Sequence, residues 1–264
     1  MTYQITTIKL EGYGPWTLSL GSDREYQLQI LQSNIYSDLQ YLFSNKNGIV
    51  FSNRFDEFIA VTNKITFEEH KEISNEISRK YQKIQLSMSI GIDLTPLEAN
   101  KKSHHIKNNS KYIRESNIYM ENQSLMDSLD FESVDLKFQA DDYVKILHID
   151  INNSTAITKN LSPYEITNLI IKLHSHMSDM FLKEDGLTFY LGGDNFMIVA
   201  KKNMTVDYIK QLIVQLTQIT HIHLNCGIGV GKTGRKSAEM ATKSLDSIRD
   251  FRKKGIILNV YESS

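Results

Sequence analysis

Apolar and polar side chains alternate from Lys145 to Asn152: Leu147, Ile149 and Ile151 fall on one face, His148, Asp150 and Asn152 on the other. A period of two is that of a β-strand with one face in a core, so Asp150 points away from that core. Past Ser162 the period lengthens. Ile166, Leu169, Ile170, Leu173, Met177, Met180 and Phe181 recur at helical spacing, between a capping box (Ser162, Glu165, with Pro163 at the first helical position) and Gly186. Two apolar runs around a four-residue break, "GLTFYLGGDNFMIVA", predict a hairpin. A second helix and the strand "HIHLNCGIGV" follow, and a helix from about Ser237 to Lys254 with the strand "IILNV" extends the unit.

The first half repeats this succession. "QITTIKL" is its opening strand, Ser22 and Glu25 its capping box, and Leu28, Leu31, Ile35, Leu39, Leu42 and Phe43 its helical stripe before Gly48. The hairpin "GIVFSNRFDEFIAVT" and the strand "IQLSMSIGI" complete it. Gly48, Asp56, Phe58, Val61 and Gly91 are matched by Gly186, Asp194, Phe196, Val199 and Gly229, every pair 138 positions apart, so the halves share a register. The order β-α-β-β-α-β, met twice, predicts an α+β fold of two tandem ferredoxin-like domains. Each has an antiparallel sheet with helices on one face and the other face open. The expected division is a first domain at 1–104, a polar and weakly periodic helix tail and linker at 105–140, and a second domain at 141–264.

Composition narrows the partners. Lys and Arg number 30 against 31 Asp and Glu, a formal net charge of -1, so no global basic field draws the chain to nucleic acid or an anionic membrane. A single cysteine excludes an intramolecular disulfide and fits a reducing compartment. The opening "MTYQITTIKLEGYG" lacks the basic-then-apolar build of a secretory signal, and no apolar run approaches the roughly 20 residues that span a bilayer. A cytoplasmic protein is expected.

The candidate chemistry lies at the second hairpin. In the predicted fold its turn neighbours the strand carrying Asp150, which brings Asp150 beside Asp194. Two converging carboxylates resolve their repulsion by sharing a proton or binding a hard cation, and magnesium is typically held by one or two carboxylates plus substrate phosphates. Gly192 and Gly193 would let a triphosphate approach the turn backbone without a side-chain clash. "GGDN" alone reads as an ordinary turn; with Asp150 on the facing strand it reads as a site. In the first half Lys9 or Glu11 stands near the equivalent of Asp150, and "RFDE" replaces "GGDN", so that half is degenerate as a metal site. Three other patterns carry less. "GVGKTG" has Cys226 where a phosphate-binding loop needs glycine, leaving only Lys232 as a possible phosphate contact. Alternation sets Cys226 opposite His221 and His223, which argues for a core cysteine over zinc. The pairs His104, His105 and His174, His176 read as solvated helix residues.

Four stretches in order, "EGYGPWT", "RFDEFIAVTN", "HIDINN" and "LGGDNFM", resemble the archaeal-type GTP cyclohydrolase III family, and the resemblance spans nearly the whole chain, repeat included. It implies tandem palm (nucleotidyl cyclase-like) domains, GTP as the substrate and Mg2+ as the cofactor. A monovalent cation is left open, and a homo-oligomer is expected. It further implies that Asp150 and Asp194 are catalytic and hold the metal with the Ile151 carbonyl. Asn152, Asn153, Gly192, Gly193 and Asn195 would bind the nucleotide with Lys232, while Tyr13, Phe55 and Asp56 of the first half are candidates for the guanine. More distantly the second half resembles GGDEF-type diguanylate cyclases, which place glutamate where this chain has Asn195. The implied reaction opens the guanine imidazole ring of GTP, retains the formyl group and releases pyrophosphate. The alternatives are a nucleotidyl or diguanylate cyclase and a non-enzymatic nucleotide sensor.

Overall fold

A computed structural model describes residues 2–82, 84–106, 112–115, 117–121 and 143–263. The chain divides into two compact units, one formed by residues 1–94 and 98–142, the other by 95–97 and 143–264. The first unit contains β1 (Tyr3–Glu11), α1 (Tyr13–Ser19), α2 (Glu25–Asn45), β2 (Ile49–Arg54), β3 (Glu57–Val61), α3 (Phe67–Lys80), β4 (Gln85–Asp93), α4 (Pro96–Ile106), β5 (Tyr112–Glu115) and β6 (Ile118–Glu121). Its sheet has the order β2-β3-β1-β4-β6-β5. The second contains β7 (Val144–Ile151), α5 (Ser154–Thr158), α6 (Pro163–Lys183), β8 (Leu187–Gly192), β9 (Asn195–Ala200), α7 (Val206–Thr220), β10 (Leu224–Gly231), α8 (Gly234–Lys253) and β11 (Val260–Glu262), in the sheet order β11-β10-β7-β9-β8. Antiparallel four-stranded sheets, β2-β3-β1-β4 and β8-β9-β7-β10, lie at the heart of both units, as the repeat requires.

Each unit has its own core. In the second, Leu147 and Ile149 of β7 pack with Phe181, Phe196, Ile213 and Cys226; in the first, Ile8 and Leu10 pack with Leu39, Phe43, Phe58 and Met88. The capping box at Ser162 forms, with the hydroxyl accepting from the Glu165 amide and the Glu165 carboxylate from the Ser162 amide.

Three expectations are corrected. Ser22 does not cap α2, whose N-cap is Arg24, because the chain bends for two residues between Ser22 and the first helical turn. Within the stretch assigned to linker, Tyr112–Glu115 and Ile118–Glu121 pair as a hairpin, and β6 runs parallel beside β4, extending the first sheet; most of that stretch lies outside the described residues. The face expected to be open is covered in part by α8, which packs on β10 and β7 opposite the core. Glycine makes this possible: a Cβ at Gly229 would stand 2.1 Å from the Ser237 carbonyl oxygen, and one at Gly227 2.2 Å from that of Ala241. The alternate glycines of "GIGVG" are therefore a helix seat, which accounts for the resemblance to a phosphate loop. Among the described residues no helix is long and apolar enough to cross a membrane.

Candidate active site

Strand register sets the site. Asp150 of β7 pairs with Asn195 of β9 on one side and with Asn225 of β10 on the other, so Asp194 in the turn is one residue from Asp150's cross-strand partner. The turn is specified by conformation: Gly192 has φ 112° and Gly193 φ 61°, values that side-chain-bearing residues seldom adopt. At the end of β7, Asn152 donates its amide to the His223 carbonyl at 2.8 Å, and Asn153 turns the chain into α5 with φ 57°.

Asp150 is buried rather than open, at 4% exposure. Its Oδ1 accepts from Asn225 Nδ2 at 2.8 Å, and its Oδ2 from Arg249 of α8 at 2.6 Å. The Arg249 side chain, about half exposed, also donates to Asp246 at 2.8 Å, and its hydrogen bond to Asp150 raises its pKa further. Arg252, one turn on, donates to Asn225 Oδ1 at 2.7 Å. In the turn, Asn195 Nδ2 donates to Asp194 Oδ1 at 3.0 Å, while Asn195 Oδ1 lies 3.2 Å from His148 Nε2. The other ring nitrogen of His148 meets the Thr242 hydroxyl at 3.0 Å, and burial holds the ring below the ordinary imidazole range. With both nitrogens engaged, His148 is not placed as a general base.

The structure thus brings Asp150, Ile151, Asn152, Asn153, Gly192, Gly193, Asp194 and Asn195 to one end of the second sheet. It does not bring Lys232 there. Gly231 pairs with Val144, six residues back along β7 from Asp150, which sets Lys232 about 20 Å away at the opposite end of the strands. In the first unit, Phe55 is 74% exposed and lines a cavity of about 370 Å³ between α2 and the hairpin, with Gln32, Tyr36 and Arg54. Tyr13 belongs to α1, and its hydroxyl accepts from Gln32 at the same cavity. Asp56 sits in the turn beside Phe55, with its carbonyl accepting from the Leu10 amide at 2.9 Å. Arg249, Arg252, Asn225 and Thr242 were not identified from sequence, although the alternate glycines of β10 announce a backbone pressed onto that face.

The Asp150 and Asp194 carboxylates and the Ile151 carbonyl, all at one strand end, are oxygen donors of the kind a hard cation takes. Among the described residues no group of three or more His, Cys, Asp or Glu is arranged to hold a metal, so phosphate or water oxygens would have to complete the shell. That is the ordinary situation for magnesium at a nucleotide, and the residues fit it. The cysteine and histidines near β10 do not form a zinc site: Cys226 is fully buried in the core, with its thiol pKa pushed up by burial, and His221 closes α7 with φ 56°.

Residues 4–261 match the family model for GTP cyclohydrolase III. The chain belongs to the GTP cyclohydrolase III family. It is 34% identical over 249 residues to the GTP cyclohydrolase III of Methanocaldococcus jannaschii, covering 93% of this chain and 88% of that protein. It is also 34% identical over 250 residues to that of Methanobrevibacter smithii, covering 94% of each. A weaker likeness, at TM-score 0.36 and 19% identity, links 46% of the chain to 85% of the active GGEEF domain of a diguanylate cyclase from Vibrio cholerae. Family membership covers both halves, so the first unit too is part of the GTP cyclohydrolase III architecture.

Proposed function

We propose that the chain is a GTP cyclohydrolase III that hydrolyses GTP at two places. Water adds at C8 of the guanine and the C8–N9 bond breaks, N9 taking the proton and the formyl group staying on N7. A second water cleaves the bond between the α- and β-phosphates, releasing pyrophosphate. The product is 2-amino-5-formylamino-6-(5-phosphoribosylamino)pyrimidin-4(3H)-one. The observation that carries this reading is the family match across residues 4–261, which includes the half where Asp150 lies opposite Asn195, the residue after Asp194.

Asp150, Asp194 and the Ile151 carbonyl would hold Mg2+. When bound, it supplies positive charge against the phosphates and polarises a water. The remaining work falls to the chain itself. Asn225 and Arg249 engage both oxygens of Asp150, and Asn195 engages one oxygen of Asp194. The left-handed glycines leave the turn without side chains where a nucleotide would approach. A cyclase reading is less well supported, because the residue after Asp194 is an amide engaged on both sides and not an acid.

Incubation with GTP and Mg2+, followed by ultraviolet absorbance, pyrophosphate assay and product mass, separates the readings. Loss of the purine band with pyrophosphate release is expected. Pyrophosphate with an intact purine would indicate a cyclase, and no turnover with retained GTP binding a sensor.

A further inference from the structure

Both candidate metal carboxylates face an asparagine, and each asparagine is itself gripped from behind. Asp194 Oδ1 receives Asn195 Nδ2 and Asp150 Oδ1 receives Asn225 Nδ2. A carboxylate only accepts hydrogen bonds, so each carboxamide must turn its NH2 toward it and its oxygen away. That oxygen meets a donor in both cases: His148 Nε2 at 3.2 Å behind Asn195, and Arg252 at 2.7 Å behind Asn225. Asn225 is 2% exposed and His148 9%, so a misdirected carboxamide would leave polar atoms without partners where water is scarce.

We propose that His148 and Arg252 are positioning residues that orient the Asn195 and Asn225 carboxamides, and through them the two carboxylates of the site. For His148 the assignment requires the proton on Nε2; the Thr242 hydroxyl, 3.0 Å from Nδ1 and 3.0 Å from the Ala238 carbonyl, must then turn its one proton from that carbonyl to Nδ1. Thr242 and Arg252 both lie on α8, the helix seated on Gly227 and Gly229, so one rigid element anchors both relays. The first unit shows what the sheet looks like without them. Thr7 stands where His148 would be, bonded to Ser103, and Asn195 and Asn225 are replaced by Glu57 and Ser87. The relays accompany the intact carboxylate pair and are absent from the half that lacks it.

The proposal rests on the GTP cyclohydrolase reading, and the test keeps the two apart. His148→Leu and Arg252→Met remove the donors; His148→Gln and Arg252→Lys retain an N–H within reach. Steady-state kinetics on GTP, Mg2+ titration calorimetry on the protein alone, and thermal unfolding are compared for all four and the parent chain. Each donor-deleted variant is expected to lose at least tenfold in kcat with KM for GTP within about threefold, and to weaken Mg2+ binding several-fold, while its conservative partner recovers most of both. Two-bond nitrogen–proton NMR of the metal-free chain is expected to show the His148 proton on Nε2. Unchanged kcat and Mg2+ affinity in the donor-deleted variants, or equal losses in the conservative ones, would overturn the proposal, as would a proton on Nδ1 alone. If the parent chain did not turn over GTP, the cyclohydrolase reading would fail by itself; Mg2+ affinity and the His148 proton would still decide the relays.

Discussion

The two units share strands, register and helix order, yet they differ at the strand end where chemistry is possible. Lys9 pairs with Glu57 and Ser87 in the first sheet just as Asp150 pairs with Asn195 and Asn225 in the second, so Lys9 stands in the place of Asp150. Asp56 and Asp194 are the turn acids of the two halves. One half therefore offers two carboxylates, the other one carboxylate and an ammonium. The first half also buries an acid the second lacks: Glu57, 8% exposed, is neutralised by Arg54 at 2.7 Å and accepts from Asn53 at 2.8 Å. Arg54 sits where the second half has Gly192, and it is not among the residues with left-handed φ, so the first turn has exchanged a bare backbone for a salt bridge. A duplicated fold keeps its core because packing demands it, whereas a strand-end residue is at liberty to change once chemistry no longer holds it.

After loss of a candidate metal ligand itself, the largest effect should come from making the second half resemble the first. Asn195→Glu sets a carboxylate against Asp194 and removes the carboxamide oxygen from His148, and Gly192 stands where Arg54 pairs with Glu57 in the first half. Ring-opening activity is expected to fall by at least two orders of magnitude while the chain remains folded, checked by kinetics at saturating Mg2+ and by circular dichroism. Unchanged kinetics would return "GGDN" to an ordinary turn.

A second contrast concerns pH. His70, fully buried in the first unit, meets the Thr66 carbonyl through Nδ1 at 2.7 Å and the Thr6 hydroxyl through Nε2 at 2.9 Å, and burial pushes its pKa down to about 4. The second unit has the partly exposed Tyr208 at the matching position. The folded first unit holds the neutral ring, so its stability is full above the unfolded pKa of about 6.5 and declines as pH falls toward about 4, by about 3 kcal/mol in all. Denaturant unfolding at pH 7 and pH 5 should show the first unit losing stability, and His70→Gln should remove most of that loss, while the buried His148 gives the second unit a loss of the same sign that His70→Gln leaves in place. A loss in the first unit that His70→Gln left unchanged would remove His70 as the cause.

The smallest effect is expected at Lys232. Lys232→Ala should leave kcat/KM for GTP within about twofold, since the residue lies at the far end of the sheet. A tenfold loss would mean that the substrate reaches much further than the strand end.

Legibility in the sequence followed the range of the physics. The repeat, the strands, the direction of Asp150 away from the core and its place beside the turn that carries Asp194 were readable because alternation and turn chemistry are local. The burial of Asp150 was not, because it depends on α8, whose Thr242, Arg249 and Arg252 carry no signal of a partner until the helix is set on the sheet. The misplacement of Lys232 had a related cause: "GVGKTG" suggested phosphate by motif, while β10 runs antiparallel to β7 and carries its end away from Asp150. The β5–β6 hairpin escaped because each strand has only four residues, too few for a period to declare itself.

The central claim is that the site belongs to the second half. Its most direct test is a paired measurement of Mg2+ affinity and GTP turnover in Asp194→Asn and Asp56→Asn, the same change at matching positions. Asp194→Asn is expected to lose at least a thousandfold in kcat and most Mg2+ binding, and Asp56→Asn to keep its Mg2+ affinity within about twofold, any change in turnover appearing in KM. Loss of Mg2+ binding in Asp56→Asn, with Asp194→Asn little affected, would place the metal in the first half and contradict the account.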